Sequence, residues 1–196
     1  MDTVYDLLRF LHIISFVFMS VPLFNLIVVN ERASLSKSFN YDTDRYMENI
    51  IKNGAYRCFV FQSTVLITGV LLLIAGPLGL ESLWSNWIVA TKTVLLAVLM
   101  GLLSYVHFKV QPRIESIFTD LKPDSQVPEN LASRLKLYRV RRKWMATLCL
   151  FLVITGIILG LQVFGSFKTV INIILIALAA LFALKANKTL LRFGWI

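Results

Sequence analysis

Charged residues make up only 16% of the 196-residue chain, and cysteine and histidine occur twice each. Two histidines cannot assemble a multi-ligand zinc, copper or di-iron cage within one chain. Two cysteines, Cys58 and Cys149, exclude a disulfide-stapled secreted domain. There is no Gly-rich phosphate loop, nucleophile elbow, His-Glu-x-x-His or Cys-x-x-Cys motif, which removes most catalytic classes. What is abundant is apolar: 57% of residues are hydrophobic and the mean hydropathy is +0.72. A water-soluble enzyme is ruled out, because several apolar runs exceed 18 residues and only helices can carry such runs across lipid.

The expected fold is all-α, a polytopic bundle of five transmembrane helices forming a single membrane domain over residues 1–196. The spans run from Tyr5 to Val29, Tyr56 to Leu80, Trp87 to Val110, Lys143 to Phe164 and Lys168 to Leu184. The first is read as a true span, not a cleavable signal: Asp2 and Asp6 replace the positive leader, and no small-x-small site closes the run. Tyr5, Trp84, Trp87, Trp144 and Trp195 lie at or near span ends, where amphipathic rings prefer the headgroup level. Gly165-Ser166-Phe167 leaves only a tight turn between spans four and five, so those two form an antiparallel hairpin if both cross.

Charge sets the orientation. Seventeen of the 20 basic residues fall in or beside connections 30–55 and 111–142 or after the last span. Lysine and arginine collect on the cytoplasmic side, so the N-terminus is expected outside and the C-terminus in the cytoplasm of a cell-membrane protein. The same bias accounts for the net charge of +9 and the pI near 9.8 without nucleic acid as a partner. The run from Arg134 to Lys143 also suits anionic lipid headgroups at the cytoplasmic face. Within the connections, Asp42 to Glu48 begins with helix N-cap chemistry and extends the second span. Lys122 to Pro128 reads as a turn or flexible stretch. Cys58 and Cys149 fall at cytoplasmic span ends, a reducing setting, and are expected as apolar fillers.

The informative residues are those that lipid excludes. His12 lies roughly 10 Å along the first span from Tyr5, and Lys92 roughly 8 Å along the third from Trp87. Both spans enter from outside, so the pair shares a depth and can meet. An ionisable residue inside a span is a functional candidate by default. His107 lies about 30 Å from Trp87, at the other boundary, and cannot share one haem with His12 if the spans are straight. It is expected to be interfacial. For His12 two readings stay open: a cofactor ligand, or a neutral imidazole bonded to a neighbouring helix. Ser15 and Met19 follow His12 at helical spacing, and Met19 and Met100 are candidate thioether ligands. Gln62, Gly69 and Gly76 recur along one side of span two. Gly156-Ile-Ile-Leu-Gly160 and Ala179-Ala-Leu-Phe-Ala183 are small-residue patterns suited to close helix contact.

The stretch Leu8-Arg-Phe-Leu-His-Ile-Ile-Ser-Phe-Val-Phe-Met19 resembles the opening helix of HemJ-type protoporphyrinogen oxidases and the related copper-resistance D (CopD) group. Trp87-Ile-Val-Ala-Thr-Lys-Thr-Val-Leu-Leu96 resembles the lysine-bearing entry to that group's third helix. Tyr56-Arg57 with Thr68-Gly69 and Leu71 to Leu73 resembles its second helix, and Arg139 to Lys143 the basic entry to its fourth. The resemblance implies a haem b or porphyrin site, with His12 as axial ligand or catalytic group and Lys92 near a propionate or as a proton relay.

Two function classes follow. One is an integral subunit of a larger, redox-linked membrane complex or a homo-oligomer, with the small-residue faces of spans four and five as partner surfaces. The other is a haem- or porphyrin-binding oxidoreductase, with His12, Ser15, Met19, Gln62, Lys92 and Met100 around the cofactor and His12 as the metal ligand.

Overall fold

The computed structural model describes residues 2–35, 40–119, 121, 129–163, 165 and 167–189. It is 91% helical, with no strand among the described residues, and five helices are long and apolar enough to cross a membrane. Large apolar side chains point outward along them, including Phe10, Ile67, Val94 and Ile173, as lipid-facing surfaces require.

The first span is two helices in line, α1 (Asp2–Phe18) and α2 (Ser20–Leu35), interrupted at Met19. Sequence periodicity predicts one uninterrupted span. The break has a cause in Pro22, which lacks the N–H that would bond the carbonyl of Phe18. At the interruption the Ser20 hydroxyl donates to the Val17 carbonyl at 2.6 Å.

Helix α3 (Tyr41–Ala75) starts 15 residues before the expected second span and ends five short of Leu80. Asn40 caps it, accepting from the Thr43 N–H at 3.0 Å, so the predicted extension is present with its cap two residues earlier. Gly76-Pro77 stops it. A short turn of helix, α4 (Ser82–Ser85), carries Trp84, which is 88% exposed. Helix α5 (Trp87–Tyr105) opens on Asn86, whose side chain accepts from the Ile88 and Val89 N–H groups. It runs through a π-turn at Val106–Val110 into α6 (Gln111–Thr119), so the third span outlasts its expected end. The Gln111 N–H donates to Val106, five residues back. One extra residue in a turn rotates everything after it by about 100°. Helix α7 (Glu129–Leu161) starts 14 residues before the expected fourth span and ends three short of Phe164, and α8 (Thr169–Thr189) starts one residue after Lys168 and runs five past Leu184. The stretch read as a turn, 122–128, lies outside the described residues, as does part of the tight turn at 165–167.

Helix α7 is the central element, packed against α2, α5 and α8, whereas α8 lies at the edge. Two polar clamps hold α8 at both ends. Gln162 and Asn172 exchange side-chain hydrogen bonds, and the Asn187 amide donates to the Thr147 hydroxyl at 2.6 Å. The main core joins Phe16, Met19, Ile27, Val65, Leu99 and Val153. Cys58 and Cys149 are buried in the same core as free thiols. A second, smaller core is built by Val110, Ile114, Ile117, Phe118 and Leu135, where the extensions of α3, α6 and α7 meet.

The small residues serve contacts inside the chain. A Cβ at Gly156 would stand 2.6 Å from the Phe16 ring, and Ala179 and Ala183 are 4% and 2% exposed. The Gly156→Leu variant is therefore expected to lose about 1–3 kcal/mol through overpacking. A thermal unfolding midpoint in detergent equal to that of the parent chain would contradict this packing.

Candidate functional site

Helices α1 and α3 run antiparallel, and close approaches mark their register. Tyr5 meets Gly76, His12 meets Gly69, and the Cys58 thiol reaches the Met19 carbonyl at 3.8 Å. His12 therefore sits two turns from the Met19 level, toward the Trp87 end of the bundle. Its Nδ1 lies 3.0 Å from the Thr68 hydroxyl oxygen. That hydroxyl has one proton, and its oxygen is 2.6 Å from the Thr64 carbonyl. With the hydroxyl proton given to the backbone, Nδ1–H of His12 is the donor to Thr68. The imidazole is then the tautomer whose Nε2 holds a lone pair. Histidines that ligate metals are oriented by such a bond from their other nitrogen.

Lys92 reaches the same region from α5. Its ammonium nitrogen lies 3.4 Å from where a Cβ on Gly160 would stand, so glycine makes the space it occupies. No acidic side chain pairs with Lys92 among the described residues; the four ion pairs there all lie elsewhere. Lys92 and Phe16, the latter one turn from His12 on α1, pack on neighbouring turns of α7 at Gly160 and Gly156. Phe16, one turn along α1 from His12 with its ring 6.4 Å from the imidazole, packs over Gly156.

The other candidates divide. Ser15 and Gln62 are buried between the His12 and Met19 levels, and Gln62 Oε1 has no hydrogen-bond partner. Met19 is fully buried and Met100 packs against the same apolar core. At two turns from His12, the Met19 thioether is packing material and not a second axial ligand. His107 falls within the π-turn, edge-on to Tyr56 at 5.1 Å, Phe59 at 5.6 Å and Phe108 at 4.9 Å. Its Nδ1 is buried without a partner, so this residue is enclosed by aromatic rings as well as being near the end of the span.

A second polar constellation, at the opposite and basic end, was not anticipated from the sequence. Arg142 is 0% exposed, and its guanidinium donates to both carboxylate oxygens of Glu48, to Gln111 Oε1 at 2.8 Å and to Asn30 Oδ1 at 2.9 Å. Arg139 pairs with Asp44 at 2.7 Å and with Glu48 at 3.0 Å. Two cations and two anions cancel in a cluster that joins α2, α3, α6 and α7. The signal was present as Asp44 and Glu48 four apart on one helix face and Arg139 and Arg142 three apart on another. Two arginines of the basic run are thus committed inside the protein, while Arg134 and Lys136 remain exposed.

Comparison with models of known protein families, with curated proteins and with solved structures gives no match to this chain. Among the described residues no three His, Cys, Asp or Glu side chains gather as a metal cage.

Proposed function

We propose that this chain is a multi-pass protein of the cell membrane that binds an acidic tetrapyrrole such as haem b between α1, α3, α5 and α7. In this reading its basic end faces the cytoplasm, which agrees with the bias of lysine and arginine. The observation that carries the reading is Lys92: an amine within a span, with no acidic partner among the described residues, packed one helical turn along α7 from the Phe16 ring that lies beside His12. A cation held in apolar surroundings calls for an anion, and a propionate supplies one. His12 would offer an imidazole nitrogen to the iron and Lys92 a counter-charge to a carboxylate, whereas Met19, two turns away in the core, would not reach the group. When bound, haem supplies one-electron chemistry at its iron. The chain's own residues orient and balance it: Thr68 fixes the His12 ring, Lys92 offsets carboxylate charge, and Phe16 packs beside His12.

The reading as a partner-binding subunit drew on the small-residue faces of spans four and five. Gly156 and Gly160 meet side chains of this same chain, and Ala179 and Ala183 are buried within it, as internal bundle packing requires.

Titration of the purified protein with a metal-free porphyrin dicarboxylic acid and with its dimethyl ester tests the Lys92 role. The diacid is expected to bind roughly tenfold or more tightly, as a charge-assisted hydrogen bond provides. Lys92→Met should erase that margin. Equal binding of acid and ester by the parent protein would overturn the assignment.

A further inference from the structure

At the basic end, a groove of about 630 Å³ opens between α7 and α8, lined by Arg141, Trp144, Leu148, Phe151, Ala180 and Ala183. Alanines on α8 create it by leaving space beside the large side chains of α7. The polar groups nearby are already engaged: the Thr147 hydroxyl donates to the Lys143 carbonyl and accepts from Asn187. Inside, the groove offers only hydrocarbon contact. Its single charge is Arg141.

Arg141 differs from its neighbours in the basic run. Arg139 and Arg142 are spent on Asp44 and Glu48. Arg141 is exposed, has no acidic partner among the described residues, and lies with its guanidinium 5.3 Å from the centre of the Tyr105 ring. Stacking on an aromatic face fixes a guanidinium while leaving its N–H groups free at the edge. Trp144, half exposed on the next turn, is the ring type that marks the headgroup level.

We propose that this groove is a site for an anionic phospholipid, with an acyl chain lying over Ala180 and Ala183 and the phosphate on Arg141. The groove is narrow, open to the surface and lined by hydrocarbon, a shape that a flexible acyl chain can follow while its phosphate meets Arg141 at the edge. Charge decides the headgroup: one unpaired cation and no carboxylate favour a net negative lipid over a zwitterion, whose own ammonium Arg141 repels. The site shares no residue with the His12 and Lys92 pair, so it stands or falls independently of the tetrapyrrole reading.

The test is native mass spectrometry of the full chain released from mixed micelles containing equal phosphatidylglycerol and phosphatidylcholine, with glycerol phosphate as a chain-free competitor. Phosphatidylglycerol is expected to be retained roughly fivefold over phosphatidylcholine. Arg141→Gln should abolish the preference while keeping the parent's unfolding midpoint, and Ala180→Leu, which fills the groove from a partly exposed position, should reduce retention of both lipids. Equal retention by the parent chain, an unchanged preference in Arg141→Gln, displacement by glycerol phosphate alone, or a protein dimer in place of the lipid adduct would each overturn the proposal.

Discussion

Replacing Arg142 by methionine is expected to destabilise the protein by about 3–5 kcal/mol, the cost of stranding a buried charge whose partner is removed. Glu48 is 3% exposed, and Arg142 contacts both of its oxygens. In the variant that carboxylate keeps only Arg139, which is shared with Asp44. Asn30 and Gln111 lose a donor at the same moment. Arg142→Lys should fall close to Arg142→Met, because an ammonium has no planar fork to reach Glu48, Gln111 and Asn30 together. The double variant Glu48→Leu with Arg142→Met should be less damaged than the sum of its single changes, since it leaves no orphaned charge. Thermal unfolding in detergent separates these outcomes. Additive losses, or an Arg142→Met midpoint equal to the parent's, would show that the cluster is not what ties the four helices together.

The number of apolar helices long enough to span was legible in the sequence, because apolar length sets the count. Rotation about the axis was much less legible. The π-turn at Val106–Val110 turns Gln111 into the interior, and nothing in the local composition marks it. Likewise the break at Met19 required weighing Pro22 above an apolar periodicity that runs straight through it. Arg139 and Arg142 escaped notice for a different reason. The positive-inside rule explains every basic residue at that end equally well, and so distinguishes none of them. Gly156 and Gly160 showed the same ambiguity: a small-residue pair permits close approach but does not say whether a neighbouring backbone, the Phe16 ring or the Lys92 ammonium will occupy the space.

The second large effect concerns His12. Its ring is bonded to Thr68 and backed by Gly69. His107 lies within its own aromatic enclosure near the far end of α5. The two histidines are therefore predicted to differ completely. His12→Ala should remove tetrapyrrole binding, whereas His107→Ala should keep it and register only in stability. Thr68→Val, which retains shape but cannot accept from Nδ1, should lower haem retention by roughly ten- to a hundredfold, the range seen when an orienting partner is removed from a ligating histidine.

The most direct measurement is the reduced-minus-oxidised absorption spectrum of protein purified in mild detergent from haem-supplied cells. The expected result is a Soret band in the parent chain and in His107→Ala that is absent from His12→Ala. A colourless parent protein, or a band that survives His12→Ala undiminished, would contradict the assignment of His12 and Lys92 to a tetrapyrrole site.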